Sequence, residues 1–340
     1  MKKLFKTTCL IVPLLTSCSI NGSVHDEQDY IVELPYKENF KILQLTDIHM
    51  SVSDDLNEDF SFLSLTIKEA NPDLMILTGD IFFLANKYVV NQTFNFIDSF
   101  NIPWAYTYGN HDEQGYYSSN YISDYLQSDN LKNCLYKNFK DDIEGEANYV
   151  IDLVENGSTK YQFYIFDSNT YNFVEGSKYD YIHYDQIAWY ERMVKYSTKK
   201  RFNEEFSNTE KRIYSQCFFH IPLVEYIDAL AEHMGEEYTL LHARESNSDD
   251  PKDYCCPSKI NTHLFDKIKD LGSSYGVYCG HDHTNNFTFI YQGITLSYGT
   301  KSTDNIYHLD DMMGGSLITI ENEFTKNPIV TPIYHTYEEI

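Results

Sequence analysis

Basic residues are scarce in this chain. Lys and Arg total 26 against 51 Asp and Glu, so the 340 residues carry a formal net charge of -25. A field of that sign repels polyanions, and no basic patch offsets it, which excludes a general nucleic-acid binder. Long apolar runs are missing too. After the N-terminal segment no stretch has the ~20 apolar residues that a membrane helix needs. There is no internal repeat and no low-complexity tract, which excludes a solenoid. Tryptophan is rare, 2 residues beside 30 Tyr and 21 Phe, and this imbalance reads as coding bias without functional meaning. What remains is the length and composition of one large α/β domain.

Cysteine supplies no disulfide framework either. The seven are Cys9, Cys18, Cys134, Cys217, Cys255, Cys256 and Cys279. Without the first two an odd number is left. Cys255 and Cys256 are adjacent and poorly placed to bridge each other. Pairing of one of them with Cys134 stays open.

The N-terminus has the anatomy of a secretory signal, with Lys2, Lys3 and Lys6 ahead of a mostly apolar Cys9–Leu15 and small residues after it. Leu15-Thr16-Ser17-Cys18 resembles a bacterial lipobox, in which the cysteine is lipidated and becomes the first mature residue. This implies a signal peptide over 1–17, a lipidated tether over 18–37 starting at Cys18, and a folded domain over 38–340. The expected location is outside the cytoplasm on a bacterial membrane. A plain signal peptide, with Cys18 incidental and the protein secreted, is the alternative.

Hydrophobic patterning gives a strand over 40–46, a helix over 56–70 stopped by Asn71-Pro72, a strand over 73–78, a helix over 88–100 and a strand over 103–108. Each strand ends directly on polar residues. Strands at 148–154 and 161–167 read as neighbours. A helix over 184–196 carries Trp189. A strand over 213–219, helices over 223–231 and 263–270 and a short strand over 277–279 follow. The runs 287–291, 294–298 and 316–321 read as consecutive antiparallel strands, and 233–259 as a mostly structureless loop. Helix-linked strands followed by hairpins predict an α/β fold, a four-layer α-β-β-α sandwich of two mixed sheets.

The polar residues at strand ends are Asp47 and His49, Asp80, Asn110 with His111 and Asp112, His220, and His281 and His283. Singly, each fits a turn or a cap. Together they offer carboxylate oxygens, an amide oxygen and imidazole nitrogens, the donor set for divalent metal ions. Their order is D-x-H, G-D, G-N-H-D, H-I-P and G-H-x-H, and in that order the chain resembles the calcineurin-like metallophosphoesterases from about Phe40 to about Thr300. The phrases around Ile102–Tyr106, Phe219–Leu223 and Tyr278–His283 resemble the purple-acid-phosphatase-like branch. True purple enzymes place a metal-bound Tyr three residues after the bridging Asp. Phe83 stands there, so a non-purple member is expected.

The resemblance implies two divalent ions, drawn from Mn, Fe, Zn or Ni. Asp47, His49 and His283 would hold the first, Asn110, His220 and His281 the second, and Asp80 would bridge them. His111 would serve the leaving group, oriented by Asp112. A hydroxide bridging the ions would attack a small phosphate ester, with monoesters favoured. Two other readings are a phosphodiesterase for small or phospholipid-derived substrates, and a catalytically silent surface-binding lipoprotein. Asp167, at a strand end, is a weaker candidate for positioning a ligand.

Overall fold

The computed structural model describes residues 25–118, 120–173, 176–233, 239–242 and 255–340. The signal segment and Cys18 lie outside them. Strands β1 to β6 are Ile31–Pro35, Phe40–Leu45, Leu74–Thr78, Trp104–Thr107, Tyr149–Glu155 and Ser158–Ile165. Strands β7 to β13 are Ser215–Phe218, Thr239–His242, Ser274–Cys279, Thr288–Tyr291, Ile294–Tyr298, Met313–Ile320 and Ile329–His335. Helices α1 to α6 are Leu56–Ala70, Lys87–Asp98, Tyr121–Leu126, Tyr184–Phe202, Glu225–His233 and Leu264–Leu271.

The first third folds as parallel crossovers because β3 and β4 are apolar up to a closing Thr, and every residue in both is buried. Helix α1 starts where the Asp55 side chain accepts from Asn57 N, a cap worth about 1 kcal/mol. It stops at Asn71, whose left-handed φ of 42° and following Pro72 end the helical path. The Asn86 side chain caps α2 in the same way by accepting from Val89 N.

A five-stranded sheet has the order β13-β12-β2-β3-β4, and an eight-stranded sheet has the order β1-β5-β6-β7-β9-β11-β10-β8. Both are mixed. In the first, β2, β3 and β4 run parallel, and in the second β6, β7 and β9 do. Helix α1 backs the smaller sheet, as does α2 through Phe94 against Trp104 and Tyr106 of β4, and α4 and α6 back the larger. Between the sheets, Tyr149 Oη of β5 donates to Tyr106 O of β4 at 2.9 Å and accepts from Tyr106 N at 3.0 Å. The tyrosine surplus is therefore structural. Tyr106, Tyr149, Tyr161, Tyr164, Tyr190, Tyr226, Tyr278 and Tyr298 are all fully buried, and several spend their hydroxyls on backbone carbonyls.

The structure corrects the sequence reading at four places. The 18–37 tether is too long, because Ile31–Pro35 pairs in parallel with Val150–Val154 as the edge of the larger sheet. The 233–259 loop contains β8, which pairs with β10. Strands β10 and β11 form the expected hairpin, but β12 crosses to the other sheet and pairs antiparallel with β2. Finally, β13 escapes the pattern because Pro332 interrupts it. Proline is tolerated there since β13 is an edge strand. No described helix is long and apolar enough to cross a membrane. All five described cysteines are free thiols, so Cys134 is not bridged to Cys255 or Cys256.

Candidate metal centre

The carboxyl ends of β2, β3 and β4 meet those of β7 and β9 at one end of the sandwich, where sites form in parallel sheets. Four chain reversals there are held in left-handed backbone: Asp47 (φ 52°), His49 (φ 57°), Asp80 (φ 51°) and His281 (φ 85°). Asp and His tolerate that region better than most residues, and such strain gathers at functional sites. The loops also touch backbone to backbone. A Cβ on Gly109 would lie 2.3 Å from both Asp80 N and Asp80 Oδ1, and one on Gly280 would lie 2.0 Å from Thr46 Oγ1. Only glycine permits these approaches.

Two buried triplets result, Asp47 with His49 and His283, and Asp80 with His220 and His281. Within each, the three ligand atoms lie within 4.8 Å of one another. Asp80 Oδ2 is 3.1 Å from His220 Nε2 and 3.7 Å from His49 Nε2, the placement of a bridging carboxylate. His49 Nε2 and His283 Nε2 face each other at 2.9 Å, and His283 Nε2 is 3.4 Å from Asp47 Oδ1. His283 Nδ1 donates to Tyr307 O at 2.9 Å and His220 Nδ1 to Thr78 O at 2.8 Å, which turns both Nε2 lone pairs inward. Asn110 donates through Nδ2 to Tyr171 Oη at 2.9 Å, and its Oδ1 is buried with no hydrogen-bond partner. Converging lone pairs and an orphaned amide oxygen fit metal ions.

The charges agree. Burial resists ionisation of Asp47 and Asp80. The hydrogen bond and charge of His283 nevertheless hold Asp47 below the usual carboxylate range, and the charge of His220 does the same for Asp80. Burial also opposes a charged His220, yet Asp80 lifts it to about 10, so a metal ion binding at Nε2 would have to displace a proton there. Burial, reinforced by Lys301, keeps His49 neutral, and burial with His220 lowers His281 to about 3. Neutral imidazole is the ligating form.

His111 joins the site without joining either triplet. Its ring lies 5.3 Å edge-on from His49 and 5.3 Å from Phe83, and its backbone N–H donates to Asp80 Oδ1 at 2.7 Å. Asp112 does not orient it. The Asp112 carboxylate accepts from Asp80 N, Phe82 N and Gly109 N, at 2.9, 2.9 and 2.7 Å. Those three bonds tie the G-D loop to the G-N-H-D loop. Burial and the nearby Asp80 push the Asp112 carboxyl up to about 7. His111 Nδ1 pairs instead with Gln114 Oε1 at 2.8 Å. Gln114 follows Asn110 by four residues through a turn, a spacing that no motif marks. Asp167 accepts from Glu146 N and Asn169 N and braces loops outside the triplets.

Lys301 also escaped sequence reading. It is 1% exposed, and its Nζ donates to Asp47 O at 2.6 Å. Burial lowers its pKa to about 8, although Asp47 and Asp80 favour its charge. Thr303 Oγ1 and Asn305 Nδ2 donate to Ile48 O, so the 301–305 segment clamps the D-x-H turn from behind. Nothing in the sequence joins residues 47 and 301; the connection from β11 to β12 does so where Lys301 bridges Thr46 and Ser302 N donates to Thr46 O.

Two adjacent candidate sites for divalent ions at the strand ends of facing mixed sheets fit a dinuclear metallophosphoesterase. The calcineurin-like phosphoesterase family model matches residues 40–285, and the chain belongs to that family. It is 27% identical to "Probable inactive purple acid phosphatase 14" of Arabidopsis thaliana over 300 residues, 76% of this chain and 69% of that one. It is 26% identical to "Phosphatase DCR2" of Saccharomyces cerevisiae over 280 residues, 73% of this chain and 44% of that one. Among solved structures it resembles a dimetal phosphatase from Danio rerio with a TM-score of 0.51 and 12% identity, over 87% of this chain and 99% of that one.

Proposed function

We propose that this protein hydrolyses phosphoric esters at a two-metal centre, with monoesters preferred, and that it works outside the cytoplasm, lipid-anchored through Cys18. The carrying observation is the completeness of the ligand set: two buried triplets, a carboxylate between them, and Asn110 Oδ1 unpaired beside them. When bound, two ions neutralise the phosphoryl charge and lower the pKa of water towards ~7. Asp47, His49 and His283 would hold one ion, Asn110, His220 and His281 the other, and Asp80 would serve both. His111, with Nδ1–H donating to Gln114 Oε1, would act from Nε2 as proton donor to the departing oxygen when the ring carries both protons. Asp112 keeps the two loops in register. His111, Gln114 and Tyr171 add hydrogen-bonding groups at the mouth, and relatives named as phosphatases support monoester preference over diester.

The test strips the protein of metal and reloads it with Mn²⁺, Fe²⁺, Zn²⁺ or Ni²⁺. Para-nitrophenyl phosphate is assayed beside its bis-ester, with Asp80→Asn as control. Turnover should need metal, vanish in the control and favour the monoester. The reverse ratio would make it a diesterase. No turnover with two ions bound per chain would favour the silent binding protein, a reading that relatives named inactive keep in view. For the anchor, a labelled fatty acid should enter the parent in a bacterial host and not Cys18→Ala. Equal labelling would remove the lipoprotein reading.

A further inference from the structure

The segment after β6 builds a wall of rings beside His111. Tyr171 and Tyr179 form an isolated antiparallel bridge there. Tyr179 sits edge-on over His281 with ring centroids 4.3 Å apart. Tyr171 stacks on Tyr179 at 5.8 Å and 30°. Phe173 stacks on Tyr171 at 5.9 Å and 3°, closing an array of three rings in a row. The middle ring is fixed, since Tyr171 Oη accepts from Asn110 Nδ2 at 2.9 Å and from Gln114 Nε2 at 3.2 Å. It also meets the His111 ring edge-on at 6.2 Å. The groups that orient His111 and Asn110 therefore orient the array.

The outer ring is left open. Phe173 is 77% exposed. A lone exposed phenylalanine needs no explanation. One that ends an ordered stack running outward from the leaving-group side of a hydrolytic site presents a flat apolar face to whatever leaves. Aromatic faces favour offset stacking with another flat ring, and such stacking tolerates differences in ring substituents.

Resting on the hydrolase reading above, we propose that Tyr171 and Phe173 form a leaving-group subsite, and that the preferred substrates are phosphate esters whose organic part carries a planar ring a sugar's length from the phosphorus. Phe173 determines specificity and is not a catalytic residue. Tyr171 positions it and so couples ring binding to the orientation of Asn110 and Gln114.

The test compares adenosine 5′-phosphate with ribose 5-phosphate on the metal-loaded protein. Both are esters of the same primary hydroxyl and differ by the ring. The ratio of their kcat/KM values is read for the parent, Phe173→Ala, Phe173→Tyr and Phe324→Ala. Phe324 is a 70% exposed control beyond the far end of β12 from the site. The parent should favour the ring-bearing ester. Phe173→Ala should lower the ratio about tenfold, the range expected for losing one stacking partner. Phe173→Tyr should restore it, and Phe324→Ala should leave it unmoved. An equal ratio in parent and Phe173→Ala, with para-nitrophenyl phosphate still hydrolysed, overturns the subsite and leaves the hydrolase reading standing. Failure to hydrolyse either para-nitrophenyl ester overturns that reading, and the subsite with it.

Discussion

The floor and the mouth of the metal centre are built on opposite physical plans. The floor is polar, buried and cross-linked. Lys301, Thr303 and Asn305 hold the D-x-H turn, and Asn305 reaches on to Asp59, which also accepts from Tyr337 Oη. Asp112 ties the two neighbouring loops. The mouth is aromatic and partly exposed: Phe83 and Tyr171 beside His111, Tyr179 over His281, and Tyr307, 58% exposed, stacked on His283 at 4.1 Å. A satisfied buried network fixes one geometry, because every displaced partner leaves an unpaired group in a low dielectric. Rings at a surface have no such obligation. The floor suits metal geometry and charge, and the mouth suits the choice of organic group.

The largest effect that would break this division is on rate. His111→Asn removes a proton donor at the boundary between floor and mouth, and should cost roughly 10²- to 10⁴-fold in kcat on an alkyl phosphate. The cost should be much smaller on para-nitrophenyl phosphate, whose leaving group departs unaided, and bound metal should be unchanged. Full activity on the alkyl ester would remove His111 from the chemistry.

A smaller effect probes the floor alone. Lys301→Met orphans the buried Asp47 carbonyl and should destabilise the protein by about 1–3 kcal/mol, measured by urea unfolding. The loss should be greater in metal-stripped protein than in loaded protein, since bound dications supply the positive charge that Asp47 and Asp80 otherwise draw from Lys301. Equal losses in both forms would reduce Lys301 to a packing residue.

The smallest effect is in pH dependence. Burial raises Asp59 to about 6, above its ordinary value near 4. Between those values the folded state holds a proton that the unfolded state has released, so stability falls as pH rises from about 4 to about 6 and is then level. Asp59→Asn should lose less Tm than the parent across that window. Parallel curves would show that Asp59 titrates normally.

Much of this molecule was legible before folding. The parallel strands announced themselves as apolar runs ending on Asp, Asn or His, and α1 spans the same residues in pattern and structure because Asp55 and Asn71-Pro72 mark its ends locally. Both triplets come from residues singled out by motif order. Gln114 as the partner of His111, Asp112 as a brace and the Tyr171 shelf were not legible, since each depends on side-chain direction within a loop.

The sequence by itself determined which residues can ligate metal and that they lie at strand ends, because strand periodicity and donor chemistry are local properties. Only the tertiary structure decided that β12 leaves its hairpin neighbours for β2, that Lys301 sits under Asp47, and that three rings line up beside His111. Strand pairing and burial are settled by competition among distant segments for the same surfaces, and no short window of residues contains the competitors.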